Sequence, residues 1–256
     1  MFIKTVKLKP LIACSVAGAL LLGGLCFGGV SKAVKTAASK RELPIYCVER
    51  NDKKIAISFD AAWGNEDTED LIKTLNDYNV KTTFFVVGSW VDKYPESVKA
   101  LSDAGHEIMN HSNTHPHMTS LDAAGIAEEA NKCSDKIEKI TGKRPNLLRV
   151  PYGDYNNTVI TTLRELGMYT IQWDVDSLDW KELSAAQITE RVLKGVTDGS
   201  IVLFHNAAKH TPEALSGILS ALQERGYEIV PVSEVIYYDN YTIDHTGKQI
   251  KNQVEN

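Results

Sequence analysis

The sequence contains little cysteine and has no excess of basic residues. Its 256 residues include 4 cysteines, and 28 Lys and Arg residues stand against 33 Asp and Glu, which gives a formal net charge of -5. Proteins that bind nucleic acid usually present a basic face, so the acidic balance argues against a nucleic-acid partner. The length and the 43% hydrophobic content suit one sizeable core and make a second full domain unexpected.

The few cysteines leave one disulfide to consider. Cys14 and Cys26 lie inside an N-terminal apolar run, so only Cys47 and Cys133 remain in the rest of the chain. An oxidising compartment would permit a bond between these two. Cys133, however, lies in a helix-patterned segment, where a thiol also serves as a small buried apolar group. We therefore expect two free thiols.

The N-terminus carries the pattern of an export segment. Residues 11–30 contain no charge, and lysines precede and follow them. Signal peptides have an apolar stretch of roughly 7–15 residues, whereas about 20 can span a bilayer. Ser31 to Ala33 offers a cleavage site. We expect residues 1–33 to act as a signal-anchor or signal peptide, so that the protein is extracytoplasmic, held in the membrane by residues 11–30 or secreted after cleavage near Ala33.

The rest of the chain divides into three parts. Residues 34–53 have weak periodicity and predict a linker with a lead-in strand. Residues 54–237 predict the main domain. Residues 238–256, rich in Asn, Asp, Lys and Tyr, predict a polar, poorly packed tail.

Seven apolar runs alternate with helix-patterned segments in the main domain. The runs cover residues 55–59, 82–87, 106–109, 146–150, 169–175, 200–204 and 228–232. Glycines that close helices precede several runs, and Thr211-Pro212-Glu213 predicts a helix start with Thr211 as its cap. This alternation predicts an α/β fold with a parallel sheet. Seven strands indicate a closed or nearly closed barrel smaller than the eight-stranded form, with a doubly wound open sheet as the alternative.

Polar side chains cluster just after these runs. Active sites of β/α barrels form at the carboxyl ends of the strands, so the cluster predicts an active site rather than unrelated turns. Five strands contribute to it: Asp60 ends the first, His111 and His115 follow the third, Arg149 ends the fourth, Asp176 and Asp179 follow the fifth, and His205 ends the sixth.

The residue types in this cluster suggest acid–base and metal chemistry. Two imidazoles at His111 and His115 could bind a metal such as zinc, with His117 as a competing ligand. A carboxylate at Asp179 could hold His205 and raise its pKa, which keeps a proton for a leaving group. Arg149 could orient Asp60 and lower its pKa.

Five motifs resemble those of a known family. The segments "SFDAAWG", "HSNTH", "RVPYG", "DSLDW" and "LFH", in this order, resemble the motifs of the polysaccharide deacetylases, also called NodB-homology or carbohydrate esterase family 4 enzymes. The resemblance covers roughly residues 53–236, and the first motif is most similar to the sporulation-associated branch. It implies a distorted seven-stranded (β/α) barrel and metal-dependent removal of N-acetyl groups from a cell-wall glycan such as peptidoglycan.

The resemblance also implies individual roles. The metal would be zinc, with cobalt, nickel or manganese as alternatives, and the partner would be an N-acetylated polysaccharide. The implied roles are Asp60 as general base, His111 and His115 as metal ligands, Arg149 as the orienting arginine, the Tyr152 backbone N–H at the oxyanion, Asp179 as the acid that tunes His205, His205 as general acid, and Trp180 and Leu203 as walls of the acetyl pocket.

One position departs from the family pattern. Ala61 follows Asp60, where most of the family has a second aspartate that binds the metal, and a methyl group cannot replace it. Water could complete the metal shell, or a nearby carboxylate could, with Asp60, Glu66, Asp67 and Asp176 as candidates. A third outcome is a catalytically weak or inactive glycan-binding protein of the envelope or spore wall. An O-acetyl esterase is a narrower alternative.

Overall fold

The computed structural model describes residues 41–253, which form eleven strands and eight α-helices. The strands are β1 (Cys47–Val48), β2 (Lys54–Ala61), β3 (Thr83–Val86), β4 (Glu107–Asn110), β5 (Leu147–Arg149), β6 (Tyr169–Ile171), β7 (Val175–Asp176), β8 (Ile201–His205), β9 (Glu228–Ile229), β10 (Tyr241–Ile243) and β11 (Lys248–Lys251). The helices are α1 (Thr68–Asp77), α2 (Gly88–Lys93), α3 (Pro95–Asp103), α4 (Ala123–Thr141), α5 (Asn157–Glu165), α6 (Ala185–Gly195), α7 (Thr211–Glu224) and α8 (Val232–Val235).

The main sheet is a curled half-barrel of seven parallel strands. Their order is β6-β5-β4-β3-β2-β8-β7, and the short strand β9 also pairs with β2. Followed around the curl from β2, the strands come in chain order through β6, and then β7 and β8 return to β2. This single direction of winding confirms the predicted seven-stranded α/β barrel and excludes the doubly wound sheet. The curl is open between its two edges, β6 and β7.

The opening arises within a segment that the sequence suggested was one strand. Residues 169–175 form β6 and β7, separated by a break at Gln172–Asp174. The Gln172 N–H donates to the carbonyl of Ile45 at 2.7 Å, and the Asp174 carboxylate accepts from the N–H of Ile201 at 2.8 Å. The chain therefore leaves one strand partner and joins another, which directs β7 towards β8.

An apolar layer between the sheet and the helices holds the sheet in place. The outward side chains of β2, β3 and β8, such as Phe59, Phe84 and Phe204, pack against the helices. Cys133 on α4 belongs to this layer, and its thiol donates to the carbonyl of Val86 at 3.3 Å. Both Cys47 and Cys133 are free, as predicted.

The prediction of a poorly packed tail at residues 238–256 was wrong for the described part of that segment, which ends at residue 253. Strands β10 and β11 form an antiparallel hairpin, and β11 pairs in parallel with β1. Gln249 is completely buried, and its side chain accepts from the N–H of Tyr237 at 2.8 Å and donates to the Tyr237 carbonyl at 2.6 Å. The polar composition misled because this glutamine satisfies buried backbone groups instead of facing water.

The predicted export segment lies outside the described residues. Within residues 41–253, no helix has the length and apolar character needed to cross a membrane. The anchor at residues 11–30 and the cleavage site near Ala33 therefore stay predictions.

Candidate active site

Adjacent strands bring Asp60 and His205 together at the carboxyl end of the sheet. The two residues are register partners on β2 and β8. Side chains alternate along a strand, so Asp60 points to the inside of the curl while Phe59 and Ala61 pack into the helical layer. Asp60 is 6% exposed, which places its carboxylate in a buried environment open to the rim.

Arg149 fixes the Asp60 carboxylate. Its guanidinium is fully buried and donates to Asp60 Oδ1 at 2.7 Å. It also donates to the hydroxyl of Ser58 at 2.8 Å and to the carbonyl of Gln172 at 3.2 Å. Burial opposes ionisation of Asp60, but the charge of Arg149 and its hydrogen bond outweigh it and lower the carboxyl pKa. Asp60 is therefore an ionised group that can accept a proton.

The His111 ring presents a free nitrogen to this carboxylate. Its Nδ1 lies 2.7 Å from the backbone carbonyl of Arg149, and because a carbonyl only accepts, Nδ1 carries the hydrogen. Nε2 lies 3.4 Å from Asp60 Oδ2. Burial lowers the pKa of His111, so the ring is neutral and its lone pair faces a carboxylate. Two acceptors that face each other suit a cation between them, and this donor set fits a divalent metal.

His115 lies beside His111 at an angle. The ring centroids are 4.9 Å apart, and burial together with His111 lowers the pKa of His115 to about 4. Its Nδ1 is buried without a hydrogen-bond partner in the described part of the chain. Two neutral imidazoles thus fit a metal. Across residues 41–253, however, no group of three or more His, Cys, Asp or Glu side chains is arranged as a metal site.

Ala61 occupies the position at which the family resemblance implies a third ligand. Its methyl group is fully buried in the helical layer. The other carboxylates considered are hydrogen-bonded elsewhere or exposed: Asp67 Oδ2 accepts from the N–H of Ala207 at 2.8 Å, Asp176 Oδ1 accepts from the N–H of Leu178 at 2.9 Å, and Glu66 is exposed. Asp60 is the candidate that contacts a histidine of the pair.

Asp179 holds His205 in one orientation. Asp179 Oδ1 lies 2.8 Å from His205 Nδ1, and Oδ2 accepts from the His205 N–H at 2.8 Å. The Thr211 hydroxyl donates to the same Oδ2 at 2.7 Å. Burial disfavours the imidazolium, but the hydrogen bond and charge of Asp179 outweigh it and raise the pKa of His205. The Nδ1 contact leaves Nε2 to deliver a proton.

The other three predicted residues surround this centre. Leu203 is buried and lies two residues before His205, on the same face of β8. Trp180 follows Asp179 directly and is 56% exposed, so its ring stands at the rim of the site. Tyr152 has a left-handed backbone with φ of 60°, and its ring lies 4.5 Å from that of His115.

Three contributing residues escaped the sequence interpretation. Ser58 receives a hydrogen bond from Arg149, although its position two residues before Asp60 on β2 was available as a signal. Thr211 was predicted as a helix cap, whereas His210 occupies that position and Thr211 binds Asp179. Glu129 on α4 accepts from the N–H groups of Asn113 and Thr114 at 2.9 and 2.8 Å and so supports the histidine loop.

Comparison with known proteins identifies the family of the chain. The polysaccharide deacetylase family model matches residues 48–171. The peptidoglycan-N-acetylmuramic acid deacetylase PdaA of Bacillus subtilis is 32% identical over 75% of this chain and 74% of its own length. The chain belongs to the polysaccharide deacetylase family.

Two further members of the family bear on the function. The peptidoglycan-N-acetylglucosamine deacetylase PgdA of Listeria monocytogenes is 38% identical over 73% of this chain, and the chain spans only 39% of PgdA. A solved structure of a family 4 carbohydrate esterase pseudoenzyme from Bacillus anthracis is 31% identical with a TM-score of 0.73, over 82% of this chain and 73% of its own. A mutant of this pseudoenzyme with restored enzymatic activity is 34% identical at a TM-score of 0.73, over 77% of this chain and 71% of its own.

Proposed function

We propose that the protein is a metal-dependent deacetylase that hydrolyses the N-acetyl groups of a cell-wall glycan, with peptidoglycan as the favoured polymer. One observation carries the proposal. An ionised carboxylate at Asp60 and a proton-bearing imidazole at His205 lie on neighbouring strands in register, beside the two histidines His111 and His115. An acid and a base whose environments separate their pKa values suit hydrolysis of an amide.

The proton transfers follow from this geometry. Asp60 takes a proton from the attacking water as its oxygen bonds to the acetyl carbon. The backbone N–H of Tyr152 binds the developing oxyanion, a contact that contributes roughly 3–4 kcal/mol in such sites. His205 then gives its proton to the departing amine as the carbon–nitrogen bond breaks, which yields acetate and a free amino sugar. Arg149 and Asp179 keep the base ionised and the acid protonated before each turn.

His111 and His115 would hold the metal, for which zinc is our first choice. When bound, a divalent metal supplies positive charge that polarises the acetyl carbonyl and acidifies water. The hydrogen bond from His111 to the Arg149 carbonyl fixes the ring that would bind it. With Ala61 in place of a third ligand, we expect weaker binding than at a site with three protein ligands.

A second candidate function has its own support. Ala61 removes a metal ligand, and the chain is similar to a Bacillus anthracis pseudoenzyme. A glycan-binding protein without hydrolysis, with a role in the envelope or spore wall, is therefore the alternative. The sporulation role and an extracytoplasmic, membrane-anchored location belong to our proposal, and they rest on the first motif and the apolar run at residues 11–30.

Acetate release distinguishes the two candidates. We expect the full chain, supplied with zinc, cobalt, nickel or manganese, to release acetate from peptidoglycan or chitin oligomers. Asp60→Ala and His205→Ala should abolish release, because each removes one proton carrier. Glu128→Gln, on the exposed face of α4, is the control and should match the wild type. If no metal supports release from any N-acetylated glycan, the glycan-binding alternative replaces the enzyme.

A further inference from the structure

Exposed aromatic side chains concentrate around the site. Within residues 41–253, five large hydrophobic side chains are exposed, and they are Trp63, Tyr152, Leu166, Trp180 and Tyr238. The two tryptophans and Tyr152 each lie within three residues of Asp60, Arg149 or Asp179. Exposed apolar surface gathered in one place marks a binding surface more often than chance exposure does.

Trp63 is held rigidly but leaves its ring in solvent. Its backbone carbonyl accepts from Trp90 Nε1 at 2.7 Å and from Asn206 Nδ2 at 2.9 Å. The side chain is nevertheless 62% exposed. Its ring centroid lies 5.9 Å from that of His115, at an interplanar angle of 63°. The backbone of Trp63 is fixed and one face of its ring is open to solvent. Binding an apolar surface there costs little conformational entropy.

The ring of Tyr152 also contacts His115 and extends this surface. It lies edge-on to His115 at 4.5 Å and stacks on His117 at 4.2 Å, with planes 16° apart. His117 is held in turn by Asp154, whose Oδ2 lies 3.1 Å from its Nδ1. Four rings therefore form a continuous row in the order Trp63, His115, Tyr152 and His117, which we call the aromatic row.

We propose that the aromatic row binds a sugar ring of a linear glycan, with Trp63 as the stacking platform. A pyranose presents a face of C–H groups that packs on an aromatic ring, while its hydroxyl groups stay in water. Trp63 lies beside His115, so the stacked sugar is the neighbour of the one whose acetamide reaches Asp60 and His205. The position of the reacting sugar rests on the proposed function. The stacking site rests on the row alone.

The proposal predicts a preference for oligomers that depends on Trp63. A single N-acetylglucosamine fills only the position beside Asp60 and His205, whereas its β-1,4-linked tetramer also reaches Trp63. We expect Trp63→Ala to weaken tetramer binding about tenfold and to leave monosaccharide binding unchanged, while Trp63→Phe retains most of the affinity because it keeps an aromatic face. The control is Tyr238→Ala, which removes an exposed aromatic ring outside the row.

Calorimetry on the full chain tests this without turnover. Binding of the tetramer and of the monosaccharide is measured with Asp60→Asn protein, in a detergent without a sugar headgroup, and near-UV circular dichroism confirms that each variant is folded. Equal affinity of Trp63→Ala and the parent for the tetramer would overturn the stacking site, whatever the enzyme assay shows. Trp63-dependent binding without acetate release would keep the stacking site and reject hydrolysis.

Discussion

The His205 ring lies with Nδ1 2.8 Å from Oδ1 of Asp179, and the Asp179 carboxylate also accepts from the backbone N–H groups of His205 and Trp180 and from the Thr211 hydroxyl. The side chain of Asp179 has no exposed surface, whereas that of His205 is 21% exposed. The buried charge therefore acts on the imidazole with little screening, while the outer edge of the ring reaches the site.

Asp179→Asn should move the pH dependence of acetate release. His205 donates a proton, so activity falls as the pH rises through its pKa. Asp179 raises that pKa, and an uncharged amide cannot. The alkaline limb of the kcat/KM profile should shift to lower pH, with a loss of about 10²–10⁴-fold in kcat. Thr211→Val, which keeps the charge, should lose less and leave the limb near its original place. An unchanged limb in Asp179→Asn would show that another group supplies the proton.

Glu129→Gln should weaken metal binding although Glu129 touches neither histidine of the pair. Its carboxylate accepts from the N–H of Thr114 at 2.8 Å and from the Thr114 hydroxyl at 2.9 Å, one residue before His115. An amide replaces one of these acceptors by a donor, which loosens the loop. Zinc affinity by calorimetry should fall about tenfold. Glu128→Gln, one position away on an exposed i,i+4 pair, is the matched control, and equal affinities of the two variants would reject the role of Glu129.

Ala61→Asp should make stability depend on metal. The methyl group is fully buried, so an unpaired carboxylate there destabilises the metal-free protein. If the carboxylate reaches a metal at His111 and His115, zinc should raise the melting temperature of this variant by more than it raises that of the wild type. Ala61→Asn, similar in size but a weaker ligand, should gain less. The same zinc-induced shift in all three proteins would mean that position 61 does not reach the metal.

His106 should contribute to the loss of stability in acid. It is 5% exposed, and its Nδ1 accepts from the N–H of Thr82 at 3.3 Å. Burial lowers its pKa from 6.5 to about 4, so the unfolded chain binds the extra proton between these values. Stability is then present above the unfolded pKa and is lost as the pH falls towards 4.

Urea unfolding at pH 7 and pH 5 measures this loss as a difference in the free energy of unfolding. The contribution of His106 over this interval is about 2 kcal/mol. His106→Asn keeps an acceptor at the Nδ1 position, so its stability should fall by about that much less than the wild type does. His245→Asn, at an exposed histidine, should behave like the wild type. If His106→Asn shows the full wild-type loss, protonation of this ring does not drive it.

The sequence predicted the residues at the centre of the site because the ends of apolar runs mark the ends of strands. Asp60, Arg149 and His205 directly end apolar runs, and parallel strands place their ends together. The partners of these residues were less accessible. Thr211 looks like a cap next to Pro212, and Glu129 looks like any charge on a helix, because the groups that they bind come from distant parts of the chain.

The same limit explains the errors at the edges of the fold. The break at Gln172 depends on its bond to the carbonyl of Ile45, which no local pattern contains. Strand β11 depends on β1, some 200 residues earlier in the chain, and on the burial of Gln249. Polarity predicts exposure only where no buried backbone group needs a partner.

The most direct test of the central claim is a zinc titration of the metal-stripped full chain with acetate release followed at each step. We predict that release from a β-1,4-linked N-acetylglucosamine tetramer rises with zinc and levels off at one equivalent bound. His111→Ala and His115→Ala should each shift this rise to higher zinc concentration. Acetate release that is independent of zinc and of both histidines, or no release at full zinc occupancy, would contradict the account.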